Sequence, residues 1–452
     1  MLSHGPQELR RAAIDILEYA LAAADPYHVV KELIHLDGEI LSVGDLRYDL
    51  SQRGKIYVLG AGKATFRIAQ ALEEVLGPRI ERGVIVVNRR PPERLKHIQV
   101  LEAGHPIPDE KSFQAAREVM ACAQAAQAGD LVFAAITGGS SALLCLPAEG
   151  ISLEEKRTVH KLLLTSGADI LAINAVRKHL SRIKGGLLAQ AVLPAELINL
   201  TVSDVIGDPL DYITGPTVAD PSYVSDAIDV LKRFDLWDKV ASSVREHLSR
   251  GNQAETPKAF DADLVHTFLL IPSATACEAA SVRAQELGFH PLVLTTSLEG
   301  ESQEVGIFLG TIAKEIVMNG RPIAPPCAVI ASGEATVTVL DADGTGGPSQ
   351  ELALGAATRI EGMPQVVVAS IDTDGFDGPT EFAGALIDGS TISRAEKLGY
   401  DVFSQLKAHN VTPLLKDIGD TLLTGPTGTN IADLLVILVG PEKLFASWSQ
   451  KD

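Results

Sequence analysis

Short apolar runs alternate with helix-forming segments through almost the whole chain, and no other feature narrows the fold as much. Runs at 55–60, 83–88, 98–103, 130–136, 197–203, 265–271, 291–296, 327–332, 336–340, 365–371 and 434–439 predict strands. Many are apolar on both faces, as strands covered by helices on either side must be. Helical periodicity at 109–126, 153–164, 172–192, 274–287 and 303–318 separates them. That order predicts an α/β protein with largely parallel sheets. The polar stretch Leu248–Asp263 lacks apolar periodicity and marks the boundary between two domains, 1–250 and 260–452.

Charge narrows the partners. A formal net charge of −19 over 452 residues argues against nucleic acid or an anionic membrane as the main partner. An anionic substrate would need a local basic pocket. The four cysteines, Cys122, Cys145, Cys277 and Cys327, show neither metal spacing nor a disulfide framework. They are expected as reduced, buried thiols in a cytoplasmic protein. The amphipathic stretch before Ala24 lacks the apolar core of a signal peptide, and no apolar run approaches the ~20 residues of a spanning helix.

Ligands of open α/β sheets bind at the carboxyl ends of strands, so the turns there carry the search. The first is Lys55–Thr65 (KIYVLGAGKAT), a strand, a glycine turn and a helix start. A helix start suits an anion. Gly60 and Gly62 would let backbone approach a ligand, and Lys63 adds a cation for a phosphoryl group. The loop is not a Walker A loop, because Tyr57 and Ala64 stand where glycine and Ser/Thr are needed. It also fits a dinucleotide fingerprint poorly, with Thr65 at the third glycine and Asn88 where the next strand should end in an acid.

The turn Thr137–Ser141 offers Gly138, Gly139, Ser140 and Ser141 as anion-binding backbone and hydroxyls, or simply as a capped turn. In Asn174–Gly186, a continuous helix would set Arg177, Ser181 and Lys184 on one face, a basic face for a carboxylate or phosphate, or a solvated one. Asp204 and Asp208 lie a helical turn apart in SDVIGDP and could share Mg²⁺ with substrate phosphates, or serve as turn caps. Asp372, Asp374 and Asp377 crowd another strand end, without the spacing of a calcium loop, and at least one is expected to be structural. His105 is a loop histidine at the same sheet. The remaining polar turns hold Glu334, Gly344–Glu351 and Thr424–Asn430.

Together these motifs are more specific than any one of them. VLGAGKAT, AGHPIPDEKS, TGGSSALL, NAVRKHLSRIKGG, SDVIGDP, ASGEATVTV, GGPSQELAL, TDGFDGPTEFAGA and TGPTGTN follow in this order. The chain resembles the type II glycerate kinases, the glycerate 2-kinase family whose carboxyl-terminal part is the MOFRL domain. The resemblance implies two α/β/α domains, the first Rossmann-like, with the active site in the cleft between them. It implies phosphorylation of D-glycerate with ATP and Mg²⁺ to 2-phosphoglycerate, and leaves a homodimer open. Lys63, Asp204 and Asp374 take the family's catalytic positions, with Asp204, Asp208 and Asp374 toward the metal.

Two departures stand out. Pro348 replaces the arginine of the family's GGRNQE, so Arg177 or Lys184 supplies that charge or the subgroup does without it. Ile271–Ala274 (IPSA) stands where a Gly-Ser-Asn turn is expected. The competing class is an NAD(P)-dependent hydroxypyruvate reductase, which the glycine turn also suits.

Overall fold

The structure is a computed structural model that describes residues 3–202, 215–339 and 344–441. The chain forms two compact units: Pro26–Ile271, and the residues before it joined to everything from Pro272 onward.

Within Pro26–Ile271 a meander comes first: β1 (Ile34–Asp37), β2 (Ile40–Val43) and β3 (Leu46–Asp49), all antiparallel. Its two turns place Gly38 and Gly44 at φ 58° and 55°, which glycine adopts without steric cost. Such short, part-polar strands gave no sequence signal. The main sheet follows: β4 (Ile56–Ala61), β5 (Ile80–Val87), β6 (Ile98–Glu102), β7 (Leu131–Ile136), β8 (Glu196–Val202) and β9 (Val265–Ile271). All pairs are parallel, in the order β6-β5-β4-β7-β8-β9. This is the 3-2-1-4-5-6 order of doubly wound sheets, whose direction of winding reverses between β4 and β7. β4, β7 and β8 are buried along their whole length, as continuous apolar runs predict.

The second unit contains β10 (His290–Glu301), β11 (Cys327–Thr336), β12 (Val366–Asp372), β13 (Gly384–Asp388), β14 (Thr421–Leu422) and β15 (Asp433–Val439). Their order is β10-β11-β15-β12-β13-β14. Only β10 and β11 pair in parallel; the remaining ladders are antiparallel. Here the expected parallel pairing gives way, because an apolar run reports burial and not strand direction. The run expected at 336–340 is no separate strand: β11 extends to Thr336.

The boundary differs from the expected one in two ways. β9 completes the first sheet, which moves the division past Leu248–Asp263 to Ile271. The first helix, Gln7–Ala23, packs on the helix Thr275–Glu286 and on β12 and β15 of the second unit. Arg10 anchors it there, fully buried. Its guanidinium donates to Asp388 Oδ2, to Asp420 Oδ1 at 2.7 Å and to the Leu386 carbonyl at 2.9 Å. Arg394 adds a second bond to Asp420 at 2.6 Å. All four cysteines are free and buried. Among the described residues no helix is long and apolar enough to cross a membrane.

Candidate active site

The turns after β4 and β7 lie side by side at the point where the winding reverses. They are interlocked. Gly62 N–H donates to the Val86 carbonyl at 3.1 Å, Lys63 N–H to the Gly138 carbonyl at 2.9 Å, and Ala64 N–H to Thr137 Oγ1 at 3.1 Å. A Cβ on Gly60 would fall 2.3 Å from the Ala135 carbonyl oxygen, and one on Gly62 2.0 Å from Thr137 Oγ1. Their missing side chains admit the neighbouring strand and turn. The N–H groups of Lys63 and Ala64 are likewise spent inside the protein. The helix Thr65–Leu76 begins without a side-chain cap, and the Lys63 side chain is half-buried.

Gly139 takes φ 85° and heads the one-turn helix Ser140–Leu143. A Cβ there would meet the His105 ring at 3.2 Å and Lys63 Cγ at 3.4 Å. His105, exposed, thus flanks this turn opposite Lys63.

The basic segment is broken, not one helix. Ile170–His179 ends at Leu180, Ser181 bridges to Pro147, and a new helix runs over Leu187–Val192. Ser181 Oγ accepts from the N–H groups of Ile183 (3.2 Å) and Lys184 (3.3 Å) and donates to the Leu146 carbonyl at 3.1 Å. The predicted single face including Ser181 does not form; Ser181 holds the break. Arg177 and Lys184 nevertheless converge. Arg177 donates to Ser141 Oγ and, at 3.1 Å, to Asn174 Oδ1. Lys184 Nζ donates to the Ser141 carbonyl and, at 2.9 Å, to its Oγ.

A third cation, missed in the sequence, completes this group. Lys156 is buried on the helix Leu153–Leu164 and donates to the Leu180 carbonyl at 2.8 Å, capping the helix that carries Arg177. Its signal was its place on the stripe of Val159 and Leu163. Of the described residues, no carboxylate acts on Lys156, Arg177 or Lys184. Burial lowers all three: Lys156 to about 8, Arg177 to about 10, and Lys184 well below the usual lysine range, helped by Arg177 and Lys156. His160 falls to about 4, by burial and then by the same three cations, and its Nδ1 is buried without a partner. Buried charges in proteins are paired or neutralised. Three buried cations with no acid beside them among the described residues are a candidate site for an anion.

The acidic turns belong to the second unit. Because β15 runs antiparallel to β11 and β12, its start lies beside their ends, with Asp433 opposite Gly333 and Asp372. Glu334, Asp372, Asp374 and Asp377 all act on Asp433, whose carboxyl is raised well above the usual range, first by burial and then by these acids. Asp374 is buried; its Oδ1 accepts from Phe376 N–H at 2.8 Å, and its carbonyl from Thr427 N–H at 3.3 Å. Gly375, at φ 96°, packs where a Cβ would fall 2.0 Å from the Gly425 carbonyl oxygen. The Asp374 and Thr424–Asn430 turns are thus in contact. Asn430 is buried and Glu334 exposed.

Asp377 is the structural aspartate of its motif. It accepts from the N–H groups of Ser349 (2.9 Å) and Gln350 (2.8 Å) and from Gln350 Nε2 at 2.9 Å. Those are the first donors of the helix Pro348–Ile360, since proline has no N–H. Burial pushes the Asp377 carboxyl up to about 7. Where the family places an arginine, this chain starts a helix pinned by Asp377. Asp204 and Asp208 lie outside the described residues. Among the described residues no group of three or more His, Cys, Asp or Glu is arranged to hold a metal.

A doubly wound sheet with a candidate anion site at its switch point fits an α/β enzyme acting on a small anionic substrate. Residues 12–249 match the family described as a domain of unknown function, DUF4147, and residues 327–433 match the MOFRL family. The glycerate 2-kinase of Pyrococcus horikoshii is 43% identical over 96% of this chain and 98% of its own. A relative from Agrobacterium vitis with a provisional name as a hydroxypyruvate reductase is 39% identical over 96% of this chain and 94% of its own. The crystal structure of a glycerate kinase from Thermotoga maritima superposes with a TM-score of 0.82 at 37% identity, covering 96% of this chain and all of the other. The chain belongs to the glycerate 2-kinase family with a carboxyl-terminal MOFRL domain.

Proposed function

We propose that this protein is a glycerate 2-kinase, transferring the γ-phosphoryl group of ATP directly to the 2-hydroxyl of D-glycerate in a magnesium-dependent reaction. The observation that carries the reading is that Arg177 and Lys184 converge on Ser141, with Lys156 acting on Lys184 and no carboxylate acting on the three among the described residues, on the same turn that Lys63 flanks. Phosphoryl transfer asks a protein mainly for positioning and charge neutralisation, and this cluster supports both. Lys63 neutralises charge on the transferring group. Gly138 to Ser141, with Arg177 and Lys184, hold the glycerate carboxylate or a phosphate. Magnesium takes one or two protein carboxylates and leaves its other positions to phosphate and water, which is consistent with the lack of a three-ligand protein cage among the described residues. Asp374 is assigned to it or to orienting the hydroxyl, together with Asp204 and Asp208; Glu334 and Asn430 line the turns beside Asp374. Bound magnesium would neutralise phosphate charge.

The reductase reading draws on the glycine turn, the strand order and the provisional name of the Agrobacterium vitis relative. Against it, the third glycine position is Thr65, whose hydroxyl donates to the Ala135 carbonyl at 3.1 Å, and Asn88 follows β5 in place of an acid. One assay separates the two. ADP release that requires both D-glycerate and Mg²⁺, with 2-phosphoglycerate as product, is expected. Oxidation of NADH by hydroxypyruvate without ADP release would overturn the kinase reading.

A further inference from the structure

We propose that the anion site at Arg177 and Lys184 takes up a proton together with its ligand, and that Lys184 receives it. The proposal rests on the kinase reading only for the identity of the anion.

The geometry fits a neutral amine in the empty site. An ammonium carries three N–H donors. Lys184 Nζ meets two acceptors, the carbonyl and hydroxyl oxygens of Ser141. Among the described residues the cations acting on it push its proton off: Arg177 from the helix Ile170–His179 and Lys156 from the helix Leu153–Leu164, where His160 is itself held neutral. Cys145, the remaining titratable neighbour, is a buried thiol. Lys184 is also only 3% exposed, and burial disfavours the charged form.

An arriving carboxylate or phosphate reverses this balance, because an adjacent negative charge favours the ammonium. The amine then takes one proton from solvent, and no other bond changes. A monoanion and its proton bring no net charge into a buried site. Below the empty-site pKa of Lys184, the lysine is already charged and affinity is independent of pH. Above it, the apparent Kd rises about tenfold per pH unit until the pKa of the occupied site is reached.

The test is calorimetry of D-glycerate binding to the full chain without nucleotide, at one pH near neutrality, in buffers of different ionisation enthalpy. The wild type is expected to take up close to one proton per ligand. Lys184→Arg, whose guanidinium stays charged, is expected to bind with no uptake, and Lys156→Arg to keep the wild-type uptake. Wild-type binding without uptake overturns the inference and leaves the anion site standing. Uptake lost in Lys156→Arg but kept in Lys184→Arg also overturns it. If Lys184→Arg does not fold, the pH dependence of the wild-type Kd decides, a flat profile being fatal. Binding heat unchanged in Arg177→Met and Lys184→Met, or binding of neither D-glycerate nor inorganic phosphate by the wild type, would sink the anion-site reading itself.

Discussion

Two buried charge clusters invite comparison. Near the turn of Ser141, Arg177 and Lys184, with Lys156 behind them, have no acid among the described groups acting on them. In the second unit, Arg10 and Arg394 meet Asp388 and Asp420, both acids with no side-chain exposure. The second cluster is balanced by its own residues and fixes the first helix to β13 and the segment around Asp420. The first is left unbalanced among the described residues, and in the proposed function a ligand brings its counter-charge.

The largest effect expected from breaking this contrast is on catalysis. Lys63→Ala and Arg177→Met should each lower kcat/KM by roughly a thousandfold or more, as lost stabilisation of transition-state charge does. The melting temperature of Arg177→Met should hold or rise, since an unpaired buried charge is removed. Steady-state kinetics beside calorimetric melting would check both. Arg10→Met should do the reverse. It strips Asp388 of its close cation and leaves Asp420 to Arg394 and His4, at a cost of about 3–5 kcal/mol, while turnover per folded molecule is unchanged; denaturant unfolding with active-site titration reads both.

The same contrast carries a pH signature. Burial alone would raise the Asp420 carboxyl, but His4, Arg10 and Arg394 hold it below its usual range. A depressed folded-state pKa gives stability that is full above the unfolded value, about 3.9, and is lost as pH falls through the folded one. Melting of the second unit should therefore drop below about pH 4, and less steeply in Arg10→Met. The smallest expected effect is that of Gly139→Ala. Its φ of 85° should make the change cost about 1 kcal/mol, with a modest rise in KM for glycerate as the new methyl presses on His105 and Lys63.

The sequence made the first sheet legible because parallel buried strands are largely apolar runs, and β4, β7 and β8 are buried residue for residue, with Glu196, Asn199 and Thr201 of β8 the polar exceptions. It made the order of motifs legible, and with it the family. Strand direction in the second sheet was hidden, since Leu434–Val439 reads alike either way along the ladder. The helical pattern across 172–192 was real in period, yet the hydroxyl of Ser181 and the bridge to Pro147 outcompete one more helical turn. Gly60 and Gly62 were recognisable as places of close approach, but a sequence does not say what approaches. Lys156 sits on a buried stripe among the charged residues Glu154, Glu155 and Arg157, and only packing distinguishes it from a solvated lysine. Arg10 finds Asp388 and Asp420 at separations of 378 and 410 residues, beyond any local pattern.

That separation bears on biosynthesis. As the chain leaves the ribosome, the Gln7–Ala23 helix is made long before the strands it packs against exist. Its apolar stripe and its arginine must wait through the translation of the entire parallel-sheet unit. A lengthy interval of this kind exposes a nascent helix to chaperones, and makes its docking a late event in maturation.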